Sequence, residues 1–110
     1  MSSPPGHSED ALRWERFSLV EQMANIGSEV DRAIRAREAG RHARAEHALA
    51  RALALFDLTA ASPRWHGPRR REILRAREEF CRIFFDPDVP AGSAAGLSRY
   101  FLAFAVAARR

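Results

Sequence analysis

Apolar side chains recur along this chain at intervals of three and four residues, and no segment alternates with period two. Such spacing gathers apolar groups on one stripe of a helix, whereas a half-buried strand needs strict alternation. The chain is therefore restricted to packed amphipathic helices. Ser18-Leu19-Val20-Glu21 fits a capping box, in which the serine and glutamate side chains satisfy each other's orphan backbone donors. Leu19, Met23, Ile26, Val30, Ala33 and Ile34 then share one face of a predicted first helix that Gly40 stops. Glu21, Ser28, Arg32 and Arg35 fall on the opposite face, while Ala24 and Gly27 flank the apolar one and admit a close neighbour.

A second helix is predicted from Arg41 to Ala61, with Ala45, Leu49, Ala52, Leu53 and Phe56 as its buried stripe and Ser62-Pro63 as its end. After a linker carrying Trp65 and His66, Pro68 takes the first position of a third helix, where its missing N–H costs nothing. Ile73, Leu74, Ala76, Phe80, Cys81, Ile83 and Phe84 give that helix a wide apolar face, closed by Asp86-Pro87. Arg77 lands within this face and is expected to be buried against Asp57, because an unpaired buried guanidinium is costly. A fourth helix runs from Ser93 or Ala94 to the end, burying Leu97, Tyr100, Phe101, Phe104 and Ala108. Four amphipathic helices on short connections predict an all-α, up-down-up-down four-helix bundle. One domain is expected over 11–110, behind a disordered leader at 1–10. Ser8 is placed to cap a short turn whose Leu12, Trp14 and Phe17 dock on the bundle.

Composition removes several chemistries. All eighteen basic residues are arginine, so a P-loop lysine, a Schiff base and a lysine general base are absent from the 110-residue chain. A lone Cys81 excludes an internal disulfide and a cysteine-based zinc site. Of the four histidines, His42 and His47 fall about 140° apart on a regular helix, so they cannot share one metal ion. No metal and no cofactor is expected. Met1–Asp10 lacks an apolar signal core, and Tyr100–Ala108 is too short to span a bilayer, so a cytoplasmic protein with no membrane partner is expected.

Charge is segregated. Residues 32–82 hold thirteen arginines against six acids, a local charge of +7, whereas residues 1–31 carry −4. Arg69-Arg70-Arg71 opens the third helix and Arg41 and Arg44 open the second, ends at which the helix dipole disfavours cations. Placement that works against stability is what a phosphate-binding surface requires. Arg44, Arg51, Arg69, Arg70, Arg71 and Arg75 are the expected contacts to RNA or DNA, with no aromatic platform to read sequence.

Arg41 and His47, with His42 directly after the arginine, resemble the arginine-to-histidine motif of HEPN ribonucleases. That resemblance implies a composite site across a dimer, with His47 as acid or base toward a 2′-hydroxyl and Arg41 stabilising phosphate charge. Asn25-Ile26-Gly27-Ser28-Glu29-Val30, Phe56-Asp57-Leu58-Thr59, Tyr100-Phe101 and Phe104–Arg109 resemble a family of short bacterial helical proteins, which brings no catalytic residue with it. In size, basicity and four-helix layout the chain is also similar to the accessory variability proteins of diversity-generating retroelements. That likeness implies a ring-like oligomer binding a reverse transcriptase and nucleic acid. The expected function is therefore a non-enzymatic, nucleic-acid-binding accessory bundle. A HEPN-like ribonuclease and a purely structural protein-interaction module are the alternatives.

Leu102 and Val106 lie away from the fourth helix's core stripe and predict a homo-oligomer through that helix. The other expectation is that the Trp14–Phe17 segment folds over the strip within one chain.

Overall fold

The structure, a computed structural model, describes residues 11–110; the expected leader and its Ser8 cap lie outside that range. Among the described residues there is a helical segment at 11–15 (α1) and four long helices, and no strand. The long helices are α2 (Leu19–Glu38), α3 (His42–Ala61), α4 (Pro68–Phe85) and α5 (Ser93–Ala108). The described residues form an all-helical fold, as the periodicity predicts.

The punctuation works as chemistry. Ser18 Oγ accepts from the Glu21 amide at 3.1 Å, and Glu21 Oε1 accepts from the Ser18 amide at 2.9 Å, the two halves of the capping box. Those bonds hold the Glu21 carboxyl below its ordinary value. The Glu21 carboxylate's share of the cap is therefore complete above the ordinary glutamate range and is lost as pH falls through the lowered one, while the Ser18 half does not titrate. Gly40, at φ +72°, turns the chain from α2 into α3 through backbone space that other residues rarely enter.

α2 is the hub. Met23, Ile26, Val30, Ala33 and Ile34 are buried along its length, and it packs most extensively on α3 and α5. The approach to α5 depends on Gly27, because a Cβ there would stand 2.6 Å from the Phe101 Cβ. Ser98 Oγ donates to Asp31 Oδ1 at 2.8 Å and ties the same two helices further along. Phe56 of α3 is fully buried, with its ring centroid 6.1 Å from that of Phe80 on α4 and 6.2 Å from that of Phe101 on α5. One aromatic side chain thus joins three helices, and burying such a ring contributes on the order of 2–3 kcal/mol.

Four expectations need correction. Leu12 does not dock with Trp14 and Phe17 but stays 68% exposed, since it falls on the outer side of the 11–15 segment. Arg77 does pair with Asp57, Nε to Oδ1 at 3.0 Å, but its side chain stays 35% exposed. The Asp57 side chain is 64% exposed, so the pair sits at the surface of the α3–α4 contact and is not a core pair. Leu74 and Ala108 are exposed instead of buried, because each falls at the margin of its helix's stripe. The Trp14–Phe17 segment does not cover Leu102 and Val106, which stay 57% and 39% exposed.

Trp14 goes elsewhere for a chemical reason: its indole N–H finds a buried acceptor. Nε1 donates to Thr59 Oγ1 at 2.8 Å, and the Trp14 carbonyl accepts from Gln22 Nε2 at 2.9 Å. Gln22 Oε1 in turn accepts from Trp65 Nε1 at 2.9 Å. Arg64, stacked 4.4 Å above the Trp65 ring, closes the corner by donating to the carbonyls of Glu15 and Phe17.

Candidate nucleic-acid interface

Residues equally far from Gly40 on α2 and α3 meet across the turn, because successive helices on a short connection run side by side. Before Gly40 the row is Glu29, Arg32, Arg35 and Ala36 of α2 with its C-cap Ala39; after it the row is the N-cap Arg41 with Ala43, Arg44, His47, Ala48 and Arg51 of α3. Together they line a groove of about 740 Å³, with small alanines between arginine rims. Five arginines and one histidine face a single carboxylate there.

That carboxylate is buried. The Glu29 side chain is 8% exposed; its Oε1 accepts a hydrogen bond from Arg32 NH1 at 2.8 Å, and its Oε2 forms an ion pair with Arg51 Nε at 3.5 Å. Arg35, Arg41 and Arg44 have no ion-pair partner among the described residues. The start of α3 adds to the positive field, since Arg41 stands at the N-cap with no side-chain cap bond and the first turn holds no acid.

Of the six arginines expected to touch phosphate, the structure brings Arg44 and Arg51 into this groove, together with Arg41 and His47. Arg69, Arg70 and Arg71 lie apart on the first turn of α4, exposed. Arg70 there donates to the Ala60 carbonyl at 3.0 Å and so satisfies the C-terminus of α3. Arg75 lines a separate cleft of about 400 Å³ with Glu72, Glu79 and Tyr100. The buried Tyr100 hydroxyl has no hydrogen-bond partner among the described residues, and burial beside Glu72 raises its pKa.

Sequence reasoning missed Glu29, Arg32 and Arg35 as site residues. Their signal was register: Glu29 sits as far before Gly40 as Arg51 sits after it, and Arg32 and Arg35 fall one residue farther from Gly40 than His47 and Arg44 do. Other arginines are spoken for by structure. Arg37, for instance, donates to the Ile83 carbonyl at 2.7 Å and lies 4.4 Å over the Phe84 ring.

Comparison with known proteins yields no match: no protein-family model, no curated protein and no solved structure corresponds to this chain. No helix among the described residues is long and apolar enough to cross a membrane.

Proposed function

We propose that this protein is a non-enzymatic helical accessory module that binds the phosphate backbone of RNA or DNA in the α2–α3 groove. The observation that carries the reading is the set of Arg35, Arg41 and Arg44, unpaired and gathered with Arg32 and Arg51 on one concave surface. Arginines free of carboxylates keep their donors for a ligand, and guanidinium geometry suits phosphate oxygens. No aromatic side chain lines the groove, so binding follows the backbone and not the base sequence. Arg69, Arg70, Arg71 and Arg75 on α4 lie outside the groove and are secondary phosphate contacts in this reading. In this reading the four long helices form an up-down-up-down bundle. Its support is that Trp14 beside α2's start meets Thr59 near α3's end, while Arg37 at α2's end meets Ile83 at α4's end.

Fluorescence anisotropy with a labelled single-stranded oligonucleotide tests the groove. Replacing Arg41, Arg44 and Arg51 together by alanine should weaken binding about a hundredfold, at about 1 kcal/mol for each lost contact. The salt slope should flatten by about 0.7 for each phosphate released. A larger loss from replacing Arg69, Arg70 and Arg71 would move the interface to α4. Arg41 and His47 lining one groove also favours the HEPN-like ribonuclease as second reading. RNA cleavage by the purified protein, abolished by His47→Ala, would replace binding by catalysis.

Self-association belongs to the same proposal. Leu102 and Val106, flanked by Ala103 and Ala107, leave an apolar strip on α5 uncovered among the described residues. Sedimentation should show an oligomer that a Leu102→Glu, Val106→Glu variant converts to a folded monomer. A monomeric wild type ends the claim.

A further inference from the structure

We propose that Glu29 is a positioning residue of the groove: its buried carboxylate holds the Arg32 and Arg51 guanidiniums in the orientation that receives a phosphate. The inference rests on the binding proposal above, and it assigns a function to the one residue in the groove whose charge opposes the ligand.

A carboxylate facing phosphates lowers affinity by repulsion unless it does something else. Glu29 is placed to do something else. It sits on α2, yet it takes one arginine from its own helix, three residues on, and one from α3. Oε1 accepts a hydrogen bond from Arg32, and Oε2 faces the Arg51 guanidinium at ion-pair distance. Each guanidinium has five N–H donors and gives Glu29 a single nitrogen, so most donors stay free. Those free edges face outward, since the Arg32 and Arg51 side chains are 71% and 59% exposed while Glu29 is 8% exposed. With Arg32 hydrogen-bonded at one nitrogen and Arg51 drawn to the same carboxylate by charge, the two arginines form a pre-set pair on opposite walls. Ordering a long, rotamer-rich side chain at the moment of binding costs about 0.5–1.5 kcal/mol, and the anchor removes that cost for two of them.

Positioning and simple electrostatics predict opposite signs. Glu29→Gln removes a negative charge from the groove and raises the net charge of the protein above its present +4. If charge alone governs binding, the variant binds an oligonucleotide more tightly and with a steeper salt dependence. If Glu29 positions the two arginines, the variant binds about five- to tenfold more weakly. Its salt slope also flattens by up to about 1.4, the share of two contacts on a single strand.

The experiment uses the full chain, a labelled single-stranded oligo-dT and its oligo-U counterpart, with anisotropy read across a salt series. Glu29→Asp provides the second arm. It leaves the net charge unchanged and withdraws the carboxylate by one methylene, out of reach of an arginine already at 3.5 Å. It should weaken binding at constant charge and needs no polar isostere in the core. Far-UV circular dichroism confirms that both variants are folded at the assay temperature. Weaker binding with a flatter salt slope in both variants supports the proposal. Unchanged or tighter binding by either folded variant, beside a wild type that binds, overturns it and leaves the groove reading intact. A wild type that fails to bind at low salt removes the groove reading and this proposal with it.

Discussion

Replacing Gln22 by leucine is expected to lower the unfolding free energy by about 2–4 kcal/mol, although the site is fully buried and leucine is the more apolar residue. The two side chains are close in size, so no large cavity opens and the hydrophobic term favours the variant. The polar term decides the sign. Without the amide, the Trp65 indole N–H loses its acceptor and the Trp14 carbonyl loses its donor, both in buried positions. Each orphaned group costs about 1–3 kcal/mol, and the two together exceed the apolar gain. Urea unfolding followed by far-UV circular dichroism measures the effect as a lower midpoint at unchanged slope. A midpoint equal to or above that of the wild type would show that the network contributes nothing net.

Gly27→Val is expected to cost about 3 kcal/mol, at the upper end of what overpacking a core does. In an isolated helix the same change is favourable, because glycine is the poorer helix former. Here the first added carbon would meet the Phe101 Cβ at 2.6 Å and Cγ at 2.9 Å. A Cβ is fixed to its backbone, so the clash is relieved only by moving α5 off α2, which loosens the Phe56–Phe101 contact as well. Gly27→Ala should follow the same direction with a smaller loss. Thermal melts of the two variants should rank wild type, alanine, valine. A stabilised alanine variant would mean that α5 gives way at little cost.

Most of the architecture was legible because it rests on local signals. Ser18 with Glu21, Gly40, Pro68 and Asp86-Pro87 mark helix ends through hydrogen bonds and backbone limits that act within a few residues. Gly27 was legible for a related reason, since a missing side chain beside an apolar stripe invites a neighbour. Margins were less legible. Whether Leu74 or Ala108 is covered depends on how far a partner helix reaches around, and no spacing within one helix records that. The candidate groove was half legible. Arg44 and Arg51 stood out by charge, whereas Arg32 and Arg35 read as an ordinary face opposite the apolar stripe and Glu29 was given no role. They become groove residues only once the turn at Gly40 lays α2 against α3. The partnership of Trp14 with Thr59, across 45 positions of chain, has no local signature at all.

That last partnership decides what an optical probe of this protein reports. The chain has two tryptophans, and both donate their indole N–H within the one corner built by Gln22, Thr59 and Arg64. Intrinsic emission therefore carries no information from the groove between α2 and α3, or from the outer strip of α5. It reports the seating of the segment at 11–17 on the α3–α4 turn. Undocking of that segment would red-shift the emission while the ellipticity of the four long helices stayed where it was. A difference between the two signals during unfolding would thus mark one corner opening ahead of the rest, and a titration with oligonucleotide needs its own dye.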